Sequence, residues 1–391
     1  KDYTVAATGG DITGTQLGAN LANTDITIQS SDGGTSGSGN INVNDTVSWS
    51  ANKLTLSAQN NININANMTA TNTASLALNY GLGAVAASNA SQIITAAGKS
   101  VSLPAGTTNF TTTQGSDGAP KSYTVITDLG LAGSITTTDL QGMKGNLGLN
   151  YVLGSNIDAS ATSGWNTLAG FTPIGNNTNN YTGTFNGLGH TISNLTINRS
   201  STNYVGLFGA TSTTAAISNI GLVSESVAGY WFVGGLIGSN RGSISNSYAT
   251  GSVSGSGYYA GGLVGQNRGS ITSSYTNSTI HSDMGVVGGL IGINYGSINN
   301  SYATGAVTGI FHVGGLVGYG LSGTVTNSYA TGAVTGSYFV GGLVGMNQNG
   351  TVSNSYATGA VTGSSYFVGG LVGFNQYGTV SNSYATGAVT G

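Results

Sequence analysis

The sequence predicts an all-β protein, a single elongated parallel β-helix whose carboxy-terminal half winds in coils of about 27 residues with three short strands each. Three observations predict it. The phrase NSYATGAVTG begins at Asn300, Asn327, Asn354 and Asn382 without a changed letter. The tyrosines of this phrase and its variants, Tyr248, Tyr275, Tyr302, Tyr329, Tyr356 and Tyr384, are spaced by 27, 27, 27, 27 and 28 residues. A second phrase keeps the same beat, as GGLIG from Gly234 and Gly288 and as GGLVG from Gly261, Gly314, Gly341 and Gly369. Repetition at one fixed interval means one supersecondary unit stacked on itself, because such a unit cannot bury its apolar face alone.

The strands within the unit follow from the residue types. Helical repeats need runs of helix formers with an apolar stripe at 3.6-residue spacing, whereas the runs here are short and bounded by glycine. Val, Thr, Tyr and Ser suit a pleated surface. GTVSNSYAT (350–358) puts Val352, Asn354 and Tyr356 on one parity, GAVTG gives a shorter strand and YFVGGLVG a third. Stacked coils place identical residues over one another at about 4.8 Å, so verbatim repetition builds ladders of Val, Asn and Tyr. Parallel crossovers favour the right-handed form.

Towards the amino terminus the pattern loosens but keeps its alternation. TDITIQS, GNINVND, NKLTLSA, NNININA and ASLALNY place Ile26 and Ile28, Ile41 and Val43, Leu54 and Leu56, Ile62 and Ile64, and Leu76 and Leu78 inward. Residues 84–118, rich in Ala, Ser, Thr and Gly, read as a loop or an excursion. Strands resume at SYTVITD (122–128) and continue through NYVLGSNID and GTFNGLGHTISNLTINRS, and YVGLFG (204–209) opens the regular series. The chain divides into an irregular solenoid over 1–120, transitional coils over 121–203 and regular repeats over 204–391, with no linker between them. About 24 residues per coil on average gives some 16 coils and a rod of roughly 75 Å.

Composition excludes several classes of function. Charged residues are 5% of the chain, the net charge is −3, and no Asp, Glu, Lys or Arg follows Asp283. Nucleic acid and acidic membranes therefore have no electrostatic footprint to recognise. There is no cysteine, so disulfides and thiolate metal sites are absent. No apolar run reaches the roughly 18 residues of a membrane span. The sequence begins at Lys1 without Met and stops within a repeat at Gly391, as a piece of a longer protein would.

The paired phrases GGLVGxN and GTVSNSYATGAVTG resemble the GLUG repeat of large bacterial surface and secreted proteins, over roughly residues 204–391. DTVSWSANKLTLSAQNNININA (45–66) is similar to the filamentous-haemagglutinin-like exoproteins exported by two-partner secretion. The resemblance implies a right-handed β-helical fibre on the bacterial outer cell surface or outside the cell, exported through an outer-membrane two-partner transporter. It also implies contact with a host or bacterial cell-surface glycan or protein; the alternative reading is a passive stalk, or a self-associating fibre of a biofilm matrix, whose contact end lies elsewhere. The secretion module of that family carries Asn-Pro-Asn motifs, yet Pro104, Pro120 and Pro173 each lack flanking asparagines. The segment then lies downstream of such a module or derives from a divergent one. Lack of cysteine suits a chain threaded unfolded through a pore and folded coil by coil.

Catalysis has little to work with. β-Helical polysaccharide lyases and glycoside hydrolases cluster Asp, Glu, Lys or Arg, whereas Asp117, Asp128, Asp139 and Asp158 are scattered and read as solvated turn residues. His190, His281 and His312 fall in different coils without a metal-binding spacing, and His312 takes a slot filled by Phe339 and Phe367 in its neighbours. No GxxxxGK[ST] phosphate loop or GGxGxD calcium nonapeptide occurs. The chain is therefore read as non-enzymatic, with no cofactor and no metal; a polysaccharide-binding or -degrading β-helix is the remote alternative.

Two features remain as binding candidates. The aromatic pairs before the VGG or AGG of the repeats are Trp231-Phe232, Tyr258-Tyr259, Phe311-His312, Tyr338-Phe339 and Tyr366-Phe367. Alternation along a strand predicts that one member of each pair is buried and the other exposed. With Leu343 inward, Phe339 is buried, and Trp231, Tyr258, Phe311, Tyr338 and Tyr366 form an external aromatic stripe interrupted at Gly285. Flat aromatics beside Ser, Thr and Asn suit sugar rings or a protein partner, and equally suit lateral packing of fibres. The second feature, the Tyr248-to-Tyr384 ladder with Asn246, Asn300, Asn327, Asn354 and Asn382, reads as a stabilising device of stacked strands.

Overall fold

A computed structural model describes residues Lys1–Gly391. Its strands stack coil on coil in parallel, and in the repeats like residues face like. Tyr302 pairs with Tyr329, Val325 with Val352 and Gly314 with Gly341. The longest unbranched sheet has 14 strands, so the solenoid has about 14 turns rather than 16. At the usual strand spacing this is a rod of roughly 65 Å.

From Ser270 on, each full coil contains five short strands in four sheets, two more strands than the sequence predicts. In the two coils before Ser270, two of these strands merge into one, Gly221–Gly229 or Tyr248–Gly255. One coil runs Ser270–Thr272, Tyr275–Thr276, Thr279–Ser282, Val286–Gly288 and Ile291–Asn294. Two of the expected strands are each broken by a corner. In the NSY phrase the corner residue is Asn, with φ of 48° to 50° at Asn246, Asn300, Asn327, Asn354 and Asn382. Asn tolerates this left-handed region better than most residues. The second corner is the glycine pair, where the chain doubles back so tightly that a Cβ on Gly341 would overlap the Val344 carbonyl. Leu343 and Val344 are consecutive yet both buried, because the corner aims both at the interior.

Interior columns then follow coil by coil. Ile217, Ile244, Ile271, Ile298, Val325 and Val352 form one of them, all at most 3% exposed. Ser247, Ser274, Ser301, Ser328 and Ser355 form another. Each backbone N–H donates to the next serine's Oγ at 3.1–3.2 Å, and each Oγ donates to the carbonyl two residues earlier. The repeated phrase is now legible residue by residue: Asn turns the corner, Ser satisfies it, Tyr stacks outside and Ala packs inside.

Residues 84–118 are not simply a loop. Ile93–Thr95, Val101–Ser102 and Gly106–Gln114 are strands, with Ile93 opposite Ile62, Val101 opposite Met68 and Phe110 opposite Leu76. Each offers only one or two large apolar residues, too few to show alternation but enough to join the stack. Gly106–Gln114 also pairs antiparallel with Lys121–Ile126, an exception to the parallel rule. The single α-helix, Gly14–Leu21, starts at Thr13, whose Oγ1 accepts from the Gln16 N–H, and packs Leu17 and Leu21 against Val47–Trp49. Two apolar interiors meet at strand Tyr151–Leu153. Val152 faces the amino-terminal core, and Tyr151 and Leu153 face the long core beyond it.

Candidate contact surface

The aromatic pairs before VGG or AGG form two columns on one face of the rod. In the outer column Trp231, Tyr258, Phe311 and Tyr366 are exposed and Tyr338 is half-buried. Trp231 and Tyr258 lie 5.5 Å apart, Phe311 and Tyr338 stack at 5.2 Å with planes 11° apart, and Tyr338 and Tyr366 lie 6.0 Å apart.

The second member of each pair departs from the expectation of burial. Phe232, Tyr259, His312 and Phe339 are only half-buried, and Phe367, in the last coil, is exposed. Phe232, His312, Phe339 and Phe367 take φ values of 44° to 61°. That kink breaks the strand alternation, so the following residue (Val233, Val313 or Val340) takes the inward position, fully buried, and the aromatic lies along the surface. A second column results. Phe232 stacks on Tyr204 and on Tyr259 at 5.2 Å, and Phe339 stacks on His312 at 4.8 Å and on Phe367 at 5.1 Å. His312 therefore takes an aromatic's place in the stack; burial pushes its imidazole down to about 4, and its buried Nδ1 has no partner. Burial raises the Tyr259 hydroxyl, helped by the neighbouring Tyr295.

The Tyr248-to-Tyr384 ladder is more regular, with centroids 4.7–5.2 Å apart and planes within 8° of parallel. Its rings cover one another's faces, leaving mainly edges for a ligand. The column of hydrogen-bonded amides is not at the corner asparagines but at Asn240, Asn267, Asn294, Asn347 and Asn375. Asn240 donates to Asn267 and Asn267 to Asn294, each at 2.9 Å, and Asn347 donates to Asn375 at 2.8 Å.

Three of the scattered acids hold their own turns, and Asp117 ties one coil to another segment. Asp128 and Asp158 accept from Gly130 and Ser160 N–H groups, Asp139 from Gly142, and Asp117 from Ala86. His190 is buried between Asn156 Oδ1 and the Val101 carbonyl, and burial lowers it.

Sequence reasoning missed Glu225. It lies inside the coil, 3% exposed, and Ser278 Oγ donates to its Oε1 at 3.1 Å while Oε2 has no partner. Burial raises its carboxyl well above the ordinary value and so favours its neutral form. Part of its signal was present: in VSESV, Glu225 shares the parity of buried Val227, while the positive φ of 56° at Ser224 breaks the alternation before it and leaves Val223 half-buried. A polar cleft of 710 Å³ was also missed. It lies beside the antiparallel hairpin, among Tyr80, Gln92, Gln114, Lys121, Tyr123 and Asn186. A second, of 460 Å³, adjoins Lys99, His190 and Tyr248. Neither is lined by an Asp or Glu side chain.

Fold and surface together define a stacked-coil β-rod with aromatic columns along one face. The GLUG motif matches the chain five times, at residues 229–254, 285–308, 309–335, 336–362 and 364–390, so the chain carries GLUG repeats. Halomucin of Haloquadratum walsbyi is 46% identical over 112 residues, 28% of this chain and 1% of halomucin. A provisionally named Gly-rich membrane protein of Evansella cellulosilytica is 43% identical over 80 residues, 20% of this chain and 9% of that protein. The chain thus matches only a small part of either relative. A crystal structure from Bacteroides ovatus, provisionally named an immunoglobulin A1 protease, aligns over 68% of this chain and 75% of its own, with 23% identity and a TM-score of 0.45. At that score the likeness bears on neither fold nor activity.

Proposed function

We propose that this chain is a segment of an extracellular or bacterial cell-surface adhesin that makes non-catalytic contact through its aromatic face. The observation that carries the reading is the row of exposed aromatics on one face, Trp231, Tyr258, Phe311 and Tyr366, with half-buried Tyr338 among them, on a rod with no charged residue after Asp283. Large rigid rings give contact area at small entropic cost, and a soluble protein seldom leaves so many aligned on one face without use. GLUG repeats and a relative named halomucin support a surface setting. Export by two-partner secretion belongs to the same reading and rests on the haemagglutinin-like phrase at 45–66.

The test replaces Trp231, Tyr258, Tyr338 and Tyr366 together by Ser and measures attachment of the purified chain to bacterial and epithelial cells. Attachment should fall to background while the β-sheet circular dichroism is kept. Unchanged attachment would move the contact to the amino-terminal half or off this segment. If the unsubstituted chain binds no cell but forms concentration-dependent assemblies, the same face is the lateral contact of a self-associating fibre.

A further inference from the structure

Six tyrosines form one unbroken column down the regular coils. Tyr248, Tyr275, Tyr302, Tyr329, Tyr356 and Tyr384 pair in register, each with the next. We infer that this column is a site of oxidative coupling, where neighbouring rings join through their ortho carbons and staple one coil covalently to the next. The inference goes beyond the contact reading and does not depend on it.

Geometry singles these tyrosines out. Neighbouring centroids lie 4.7–5.2 Å apart, with planes 2–8° from parallel. Other tyrosine pairs are wider and less aligned. Tyr338 and Tyr366 lie 6.0 Å apart at 29°, and Tyr258 and Tyr259 lie 6.2 Å apart at 40°. Tyr151 and Tyr181 lie 6.4 Å apart at 34°, and both are fully buried. The backbone holds the spacing of the column, because the Tyr275 N–H donates to the Ser247 carbonyl and the Tyr302 N–H to the Ser274 carbonyl, one coil back. The column starts against Gly221, which pairs with Tyr248 and whose missing Cβ leaves room for that ring.

The rings are covered on their faces and open at their edges. Five of them are half-buried, and Tyr384 is exposed. None of the six hydroxyls bonds within the chain and none is buried, so they face solvent and a small oxidant. Burial raises the hydroxyls of Tyr248, Tyr275 and Tyr329, which are therefore phenols at neutral pH and lose a proton together with an electron on oxidation.

The oxidant is hydrogen peroxide acting through a haem peroxidase, which takes one electron and one proton from each of two neighbouring hydroxyls. The two phenoxyl radicals carry spin on their ortho carbons, and these form one C–C bond. Each ortho hydrogen then moves to its own oxygen and restores a phenol. Two hydrogens leave the chain, and one peroxide becomes two waters. The stack supplies the partner, since a phenoxyl on any rung has the tyrosine of an adjacent coil beside it. Other covalent staples are closed to this half of the rod, because the chain has no cysteine and no lysine follows Lys144. A bond from Tyr302 to Tyr329 closes a loop of 27 residues and constrains the unfolded chain as a disulfide does.

The experiment treats the whole chain, diluted until chains seldom collide, with a haem peroxidase and hydrogen peroxide. Bonds are counted by the blue fluorescence of the biphenol and by intact mass, two hydrogens lost for each. The parent should gain up to three bonds, one for each pair of its six rungs, and stay a monomer on a denaturing gel. Two variants then remove equal numbers of hydroxyls while keeping every ring in the stack. Tyr275→Phe, Tyr329→Phe and Tyr384→Phe together leave no two tyrosines adjacent, and bonds should fall to background. Tyr248→Phe, Tyr275→Phe and Tyr302→Phe together leave Tyr329, Tyr356 and Tyr384 adjacent, and one bond should remain. Tyr258→Phe, Tyr338→Phe and Tyr366→Phe together, on the aromatic face, should leave the parent's count unchanged. Circular dichroism confirms folding of each chain. A parent that gains no bond, equal counts in the two ladder variants, or bonds found only between chains would overturn the inference.

Discussion

The side-chain amide of Asn267 donates to Asn294 Oδ1 across one coil at 2.9 Å, and both side chains are buried. The next rung in register is Gly320, and the rung after that is Asn347. The buried amide column is therefore broken at one place. A Cβ on Gly320 meets nothing closer than Asn347 Oδ1 at 3.4 Å, and the glycine has no positive φ. Gly320→Asn should join the two halves of the column and stabilise the chain by about 1 kcal/mol, with chemical denaturation as the measure. A destabilised variant would show that Gly320 is kept for a reason other than space.

Val352 sits in the Ile and Val column at 1% exposure between Val325 and Val380. Val352→Asp buries an unpaired charge and should cost several kcal/mol. Each coil rests on its neighbours, so loss should start locally and spread along the stack. Hydrogen exchange by mass spectrometry should show amides at 325–380 opening first.

Glu225 makes stability depend on pH in one direction. Burial raises its carboxyl in the folded chain well above the ordinary value, near 4.5, that it has when the chain unfolds. The stability that neutrality permits is complete below that value and is lost as pH rises towards the raised folded value. Glu225→Gln keeps the shape and the Ser278 hydrogen bond without the ionisation. The variant should melt higher than the parent at pH 8, with the difference shrinking towards pH 4.

His312 acts in the opposite direction. Burial lowers it from 6.5 to about 4, so the folded chain keeps it neutral and stability is lost as pH falls through that window. His312→Phe restores the residue type of the neighbouring coils. Its melting temperature should exceed the parent's at pH 4.5 by more than at pH 7.5.

Much of this was legible in the sequence wherever repetition could speak. The Tyr302–Tyr329 stack and the Val325–Val352 pair follow from identical letters at one interval, because a stacked coil must place like on like. Parity served less well at the aromatic face. Phe339 was expected inside, but its positive φ resets the alternation, and nothing in the letters YFVGG announces that kink. Glu225 carried a partly readable parity and was overlooked as one acid among many serines. The amide column was hidden by excess, since Asn also turns the corners at 246, 300, 327, 354 and 382 for a different physical reason. The short helix Gly14–Leu21 offers only Leu17 and Leu21 as an apolar pair, less than a stripe.

Attachment measured across a salt series is the most direct test of the central claim, that an uncharged aromatic face makes the contact. Beads coated with the chain and with its fourfold Ser variant would be pulled from a cell layer at 20 mM and 500 mM NaCl. An apolar and stacking contact on a chain with 5% charged residues should give equal detachment forces at both salts. The variant should detach at background force throughout. A parent force that collapses at high salt, or a variant that holds as firmly as the parent, would contradict the account.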